Sequence, residues 1–181
     1  NISSLFDKII ENDQIKAVVV RVNTPGGSVF ASELIRDAIL RVKEKNIPIV
    51  TSMGGVAASG GYWVAASTDY IFAEELTITG SIGVASVIFN AEETFNKIGL
   101  NEDGISSSIF SDTYRGIYTN KPDARVINLN KIIIQNTYDK FINIVSEGRN
   151  LSIEEVNKLA KGQVWTGKDS IELNLIDEIG S

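Results

Sequence analysis

Apolar residues recur along this chain with two spacings, one helical and one extended. Residues 3–13 place Leu5, Ile9 and Ile10 at helical spacing. The β-branched run IKAVVVRVN, 15–23, predicts a buried strand, and TPGGS at 24–28 breaks it. Residues 29–46 carry Leu34, Ile35, Ala38, Ile39 and Val42 at i, i+3, i+4 spacing, which predicts a helix. IPIVTSM, 47–53, is the next strand. A strand, a helix and a strand in this order predict a parallel pair with a right-handed crossover.

The pattern then shortens. Residues 59–67 predict a short helix with Ser59 at its start, and Tyr62 and Trp63 read as core beneath the turn. A third strand is expected over 69–74. The glycine-punctuated segment 77–90 is expected to be mostly extended. A helix over 91–100 has Gly99 as its C-terminal cap. A strand followed by a loop is expected over 103–110, and 111–122 is polar. The run 123–147 is helical, with Ile127, Ile134, Tyr138, Phe141 and Val145 on its apolar side. Ser152 with Glu155 is a capping-box signature opening 151–162. The chain closes on a short strand, a helix starting near Gly167 and a final turn or strand. With no repeat and no linker, 1–181 reads as a single domain, and 123–181 as its C-terminal helical part.

Composition narrows the chemistry. The 181 residues are 43% hydrophobic, so the chain is globular. A net charge of -6, with both signs mixed, argues against a nucleic-acid partner. No apolar run approaches the roughly 18 residues that span a bilayer. No signal peptide is visible, and the chain starts at Asn1 without Met, so it is expected to be a piece of a longer protein. The chain has no cysteine, which excludes disulfides and thiol nucleophiles. It has no histidine, which excludes a Ser-His-Asp triad within it and argues against catalytic zinc. No cofactor is implied. A serine nucleophile here needs another base, and a lysine whose pKa is lowered by burial is the usual substitute.

Two glycine turns follow predicted strands and precede predicted helices: NTPGGS at 23–28 and GGVAASGGYW at 54–63. In open α/β sheets ligands bind at the carboxyl ends of the strands, so both turns fall on one sheet edge. One reading is purely structural, two tight strand-to-helix turns. The other is chemical: an N–H from Gly26 or Gly27 and one from Gly60 hold a developing oxyanion while Ser59 attacks. Ser81, in TITGSIGV, reads by itself as a turn-capping hydroxyl.

NTPGGSV, MGGVAASGGYW and TITGSIGV, in this order, resemble the signal peptide peptidase A (protease IV) family, S49-type serine peptidases of the ClpP/crotonase fold. GQVWTGKDSIELNLID resembles that family's segment near the end of the catalytic domain, so the likeness covers nearly the whole chain. The resemblance implies an α/β fold with a parallel sheet flanked by helices. It implies Ser59 as nucleophile, Gly26 and Gly60 as oxyanion donors with Gly27 as the neighbour to exchange, and Ser81 as the serine bonded to the catalytic lysine. It also implies a peptide substrate, an assembly of several copies, and a membrane anchor outside this segment. The active site is then expected at the cell membrane, on its outer side.

The chain departs from the short form of that family, which carries its lysine downstream of the serine in the same domain. No lysine lies between Lys97 and Lys121. Arg115 cannot act as a base, and Lys121 sits in a polar loop beside Pro122, where a solvated amine stays protonated. The resemblance is therefore to the second half of the long form, whose lysine comes from an upstream half. The isolated chain is expected to be inactive, with 111–122 free to move. Two other readings stand beside this one. A crotonase-like enzyme acting on acyl-CoA thioesters shares the fold and the oxyanion turns. A non-catalytic scaffold half would position a partner only.

Overall fold

The computed structural model describes residues 2–101, 105, 107, 108, 110, 111, 117, 118 and 121–181. It divides into two compact units, 1–84 with 139–181, and 85–138. The C-terminal part expected over 123–181 is thus shared, its first residues in the second unit and the remainder in the first.

The first unit opens with helix α1, Ile2–Ile10, and strand β1, Val18–Thr24. Helix α2, Val29–Lys43, follows, with Ser28 accepting the Ala31 N–H as its cap. Strand β2 runs Ile49–Ala58 and pairs parallel with β1, as the strand-helix-strand pattern predicts. It is longer than its apolar run, because it continues through Gly54 and Gly55 to Ala58. Seven of its ten residues are buried, as suits a central parallel strand. Helix α3 is Gly60–Ala65 and strand β3 is Tyr70–Ala73. Strand β4 is Ile78–Gly80.

β2 is the hub of a six-stranded sheet. Its first part, Val50–Ser52, pairs parallel with β3, and its last part, Val56–Ala58, pairs parallel with β4. The strand's two ends therefore serve different neighbours.

In the second unit, β5, Phe89–Asn90, pairs parallel with β6, Ile117–Tyr118. Helix α4, Glu92–Lys97, is capped at Ile98 and not at Gly99; Gly99, the next residue, has the left-handed φ of +73° that follows many helix ends. The strand expected over 103–110 falls partly outside the described residues, and 105, 107, 108 and 110 are irregular. Most of 111–122 likewise lies outside them. Helix α5, Ala124–Arg149, begins in this unit and ends in the first.

Helix α6, Ile153–Leu159, starts from a complete capping box: Ser152 Oγ accepts the Glu155 N–H, and Glu155 accepts the Ser152 N–H. Strand β7, Val164–Thr166, pairs antiparallel with β4. Helix α7, Gly167–Glu172, and strand β8, Glu178–Ile179, complete the first unit, with β8 parallel to β3.

The core of this unit gathers around α3. Tyr62 and Trp63 are 0% and 1% exposed. Trp63 stacks at a tilt on Phe141, centroids 4.8 Å apart, and its Nε1 donates to Glu33 at 2.8 Å. Burial pushes the Tyr62 phenol up, and its hydroxyl donates to the Leu175 carbonyl at 2.7 Å. α3 is thus pinned from beneath, which fixes the residue at its start.

Candidate active site

Ser59 sits between the end of β2 and the start of α3. Its backbone has φ +51° and ψ -117°, a sparsely populated conformation for a residue with a Cβ. Two hydrogen bonds hold it there. The Ser59 N–H donates to the Gly80 carbonyl at 2.9 Å, and the Ser59 carbonyl accepts the Trp63 N–H at 2.9 Å. Its hydroxyl does not cap α3. The residue is half-buried on a sharp strand-to-helix turn, and its Oγ has no hydrogen bond among the described residues.

The glycine turn after β1 lies directly against this junction. A Cβ added to Gly26 would come within 2.7 Å of Ser59 Cβ and 2.8 Å of the Gly60 nitrogen. One on Gly60 would meet Ser32 Oγ at 2.5 Å and the Gly27 nitrogen at 3.4 Å. Glycine at both positions is what lets the two turns touch. Gly26 also has φ +112°, a backbone conformation that disfavours side chains.

The two glycines of the first turn differ in what their amides do. The Gly26 N–H donates to Thr24 Oγ1 at 3.2 Å, and Thr24 Oγ1 donates back to the Gly26 carbonyl at 3.3 Å. The Gly27 N–H has no internal acceptor among the described residues. Gly60, as the first residue of α3, has no carbonyl within its helix to bond.

Ser81 follows β4 as Ser59 follows β2. Ala58 and Gly80 are paired, so the two serines leave adjacent parallel strands side by side. Ser81 has φ +47°, and its N–H donates to the Gln163 carbonyl at 2.7 Å. The segment before α7 buttresses this turn further. A Cβ on Gly80 would strike the Trp165 ring at 2.8 Å, and the Gly162 N–H donates to the Ile82 carbonyl at 3.0 Å. The structure thus brings Ser59, Ser81, Gly26, Gly27 and Gly60 to one edge of the first unit.

A cavity of about 350 Å³ opens beside the two glycine turns. Gly26, Gly27 and Gly60 line one side of it, and Phe6, Val22, Ile35 and Val64 supply apolar walls.

Lysines do not converge here. All of the chain's lysines lie among the described residues, and none is buried. Lys43 is ion-paired with Asp69 at 2.9 Å and Lys140 with Glu33 at 2.7 Å. Lys121 is exposed in the second unit.

Pattern reading overlooked Asn23, Thr24 and Gln163. Asn23 ends the predicted strand and Thr24 opens the predicted break, whereas β1 runs through both. Paired glycines inside β2 were the available signal, since glycine in a strand marks a bulge or a close approach.

Comparison with known proteins gives the chain's family and fold type. A family model described as Peptidase family S49 matches residues 41–181, and one described as Clp protease matches 6–74. The chain is 43% identical to Protease 4 of Haemophilus influenzae over 180 residues, 99% of this chain and 29% of that protein. It is 41% identical to Protease 4 of Salmonella typhi over 92% of this chain and 26% of that protein. It is 35% identical to the chloroplastic serine protease SPPA of Arabidopsis thaliana, over 94% of this chain and 25% of that protein. The chain spans less than a third of the length of each of these relatives. The mainly parallel α/β sheet flanked by helices is accordingly of the ClpP/crotonase type.

Proposed function

The chain belongs to peptidase family S49, and from that premise we propose that it is the nucleophile-bearing half of a serine endopeptidase whose general base is a lysine from an upstream half. The observation that carries this reading is the contact between the two turns: the Gly27 nitrogen, whose N–H has no acceptor among the described residues, lies beside Gly60 at the start of α3, where the Ser59 hydroxyl does not cap the helix.

Ser59 Oγ attacks the carbonyl carbon of the scissile peptide bond as its proton passes to the neutral lysine amine. The Gly27 and Gly60 N–H groups bond the oxyanion of the tetrahedral intermediate, with Gly26 shaping the turn. The proton then goes to the leaving amine, and an ester to Ser59 remains. Water, deprotonated by the same lysine, releases the acid. Ser81, beside Ser59, accepts a hydrogen bond from the lysine and orients it. A lysine acts as base only when desolvated, and every lysine of this chain is exposed or half-buried, which supports a base from outside. The isolated chain is then inactive or nearly so.

The apolar cavity beside the glycines supports substrates with apolar side chains, such as remnant signal peptides and other unfolded segments. No helix among the described residues is long and apolar enough to cross a membrane. The membrane anchor that the family resemblance implies is assigned to sequence outside this segment, with the site on the outer face of the cell membrane. Assembly of several copies is supported by apolar side chains exposed on the second unit, among them Phe89 and Ile98.

The test is peptidase activity on an apolar, signal-like peptide, comparing this chain with a version that carries the upstream half. Ser59→Ala runs beside each. Activity only in the longer protein, lowered roughly 10⁴-fold or more by Ser59→Ala, is the expected result. Activity in the isolated chain overturns the external base. Activity that survives Ser59→Ala overturns the nucleophile.

A further inference from the structure

β1 and β2 keep a simple parallel register from Val18 opposite Ile49 to Val22 opposite Met53, and pair again at Thr24 opposite Ala57. Between these points β1 has one residue, Asn23, while β2 has Gly54, Gly55 and Val56. β2 therefore bulges just before the end that carries Ser59. Bulges next to active sites commonly re-aim a strand end.

Asn23 fills the gap. Its Oδ1 accepts the Val56 N–H at 3.3 Å, replacing a ladder bond that the register shift removes. A Cβ on Gly54 would lie 2.6 Å from both Asn23 Cγ and Oδ1, so the carboxamide occupies the space glycine leaves. On the other side, the Gly54 carbonyl accepts Thr77 Oγ1 at 2.9 Å. The bulge is held by both neighbouring segments.

The placement of this bond matters. Asn23 is three residues before Gly26, and Val56 is three residues before Ser59. One side-chain bond therefore ties the two chains at equal distances from the oxyanion turn and the nucleophile. We propose that Asn23 is a positioning residue for the Ser59 reaction: seated in the β2 bulge, its carboxamide sets the offset between the Gly26–Gly27 turn and Ser59. This rests on the peptidase reading above. The relevant atom is the acceptor oxygen, because the group it meets is an N–H.

The experiment uses the longer protein with its upstream half and compares Asn23→Ala, Asn23→Asp, Gly54→Ala and Gly55→Ala, with Ser59→Ala as control. Misplacing reacting groups by about 1 Å costs up to roughly 100-fold in rate. Asn23→Ala is expected to lower kcat roughly 10- to 100-fold with KM little changed, since the oxyanion contact forms only in the transition state. Asn23→Asp keeps the acceptor and is expected to hold kcat near wild type. Gly54→Ala displaces the carboxamide and is expected to follow Asn23→Ala. Gly55→Ala, where a Cβ meets nothing within 4 Å, is expected to be silent. Wild-type kcat in Asn23→Ala overturns the proposal, as does an Asn23→Asp variant that falls as far as Ala. Equal losses in Gly54→Ala and Gly55→Ala also overturn it. If Ser59→Ala stays active, the peptidase reading itself fails. If Ser59→Ala is dead and Asn23→Ala is unchanged, only the positioning role fails.

Discussion

Helix α5 passes from one unit into the other with the same amphipathic pattern, and its two parts fare differently. In the first unit Phe141, Ile142, Ile144 and Val145 are at most 4% exposed. In the second, Ile127, Ile132 and Ile133 are 37–50% exposed, and Val126 is the one buried large apolar side chain among that unit's described residues. Helical periodicity says that a face wants covering, and not what covers it. The first unit closes its own core around Trp63 and Phe141 and holds every proposed catalytic residue of this chain. The second leaves most of its described large apolar side chains partly or fully exposed.

Mutations should separate the two regions, most strongly at Phe141. Phe141→Ala removes the ring packed on Trp63 and is expected to cost about 3–5 kcal/mol in urea unfolding. A loss below 1 kcal/mol would mean that the aromatic pair does not organise this core. Gly148→Ala comes next. Helical Gly→Ala changes usually stabilise, yet here the new Cβ would lie 1.7 Å from the Ala66 carbonyl oxygen, a backbone atom that cannot swing away. The expected loss is about 1–3 kcal/mol, read as a lower Tm, and a higher Tm would show that α3 and α5 are not in contact there.

Acid tests the same core through Glu33. Burial alone would raise its pKa, but hydrogen bonds from Lys140 and Trp63 and the nearby charge of Arg36 outweigh burial and lower it. The folded value therefore lies below the unfolded one. The linked stability is present above the unfolded value of about 4.3 and is lost as pH falls through the folded value. Urea midpoints between pH 7 and pH 3 should fall less steeply for Glu33→Gln than for wild type. Parallel curves would sink the linkage. The smallest effect belongs to the second unit: Ile132→Ala or Ile133→Ala should change the stability of the isolated chain by no more than about 0.5 kcal/mol. A core-sized loss would erase the contrast between the units.

Much of the site was legible locally. A glycine pair after an apolar run, and a serine between a strand and a helix, are short-range patterns. They led to Gly26, Gly27, Gly60 and Ser59 without any knowledge of which strands pair. The capping box at Ser152 was legible for the same reason. β2 was harder. Gly54 and Gly55 looked like a break, yet the strand continues because β4 pairs with its far end, a contact that no local window contains. Thr24 and Asn23 were hidden because a hydroxyl and a carboxamide in a strand acquire roles only from what faces them.

The sequence by itself determined the fold class, the family, the absence of a histidine-based triad within this chain, and where the candidate hydroxyl and glycine amides lie. These follow from residue types and spacings along one chain. Only the tertiary structure decided that the Gly26 amide is bonded to Thr24 while that of Gly27 has no acceptor among the described residues. It alone brought Ser81 beside Ser59 and set Asn23 in a bulge of the neighbouring strand. Each of these depends on register, and register is a relation between segments that the order of residues in either one does not contain.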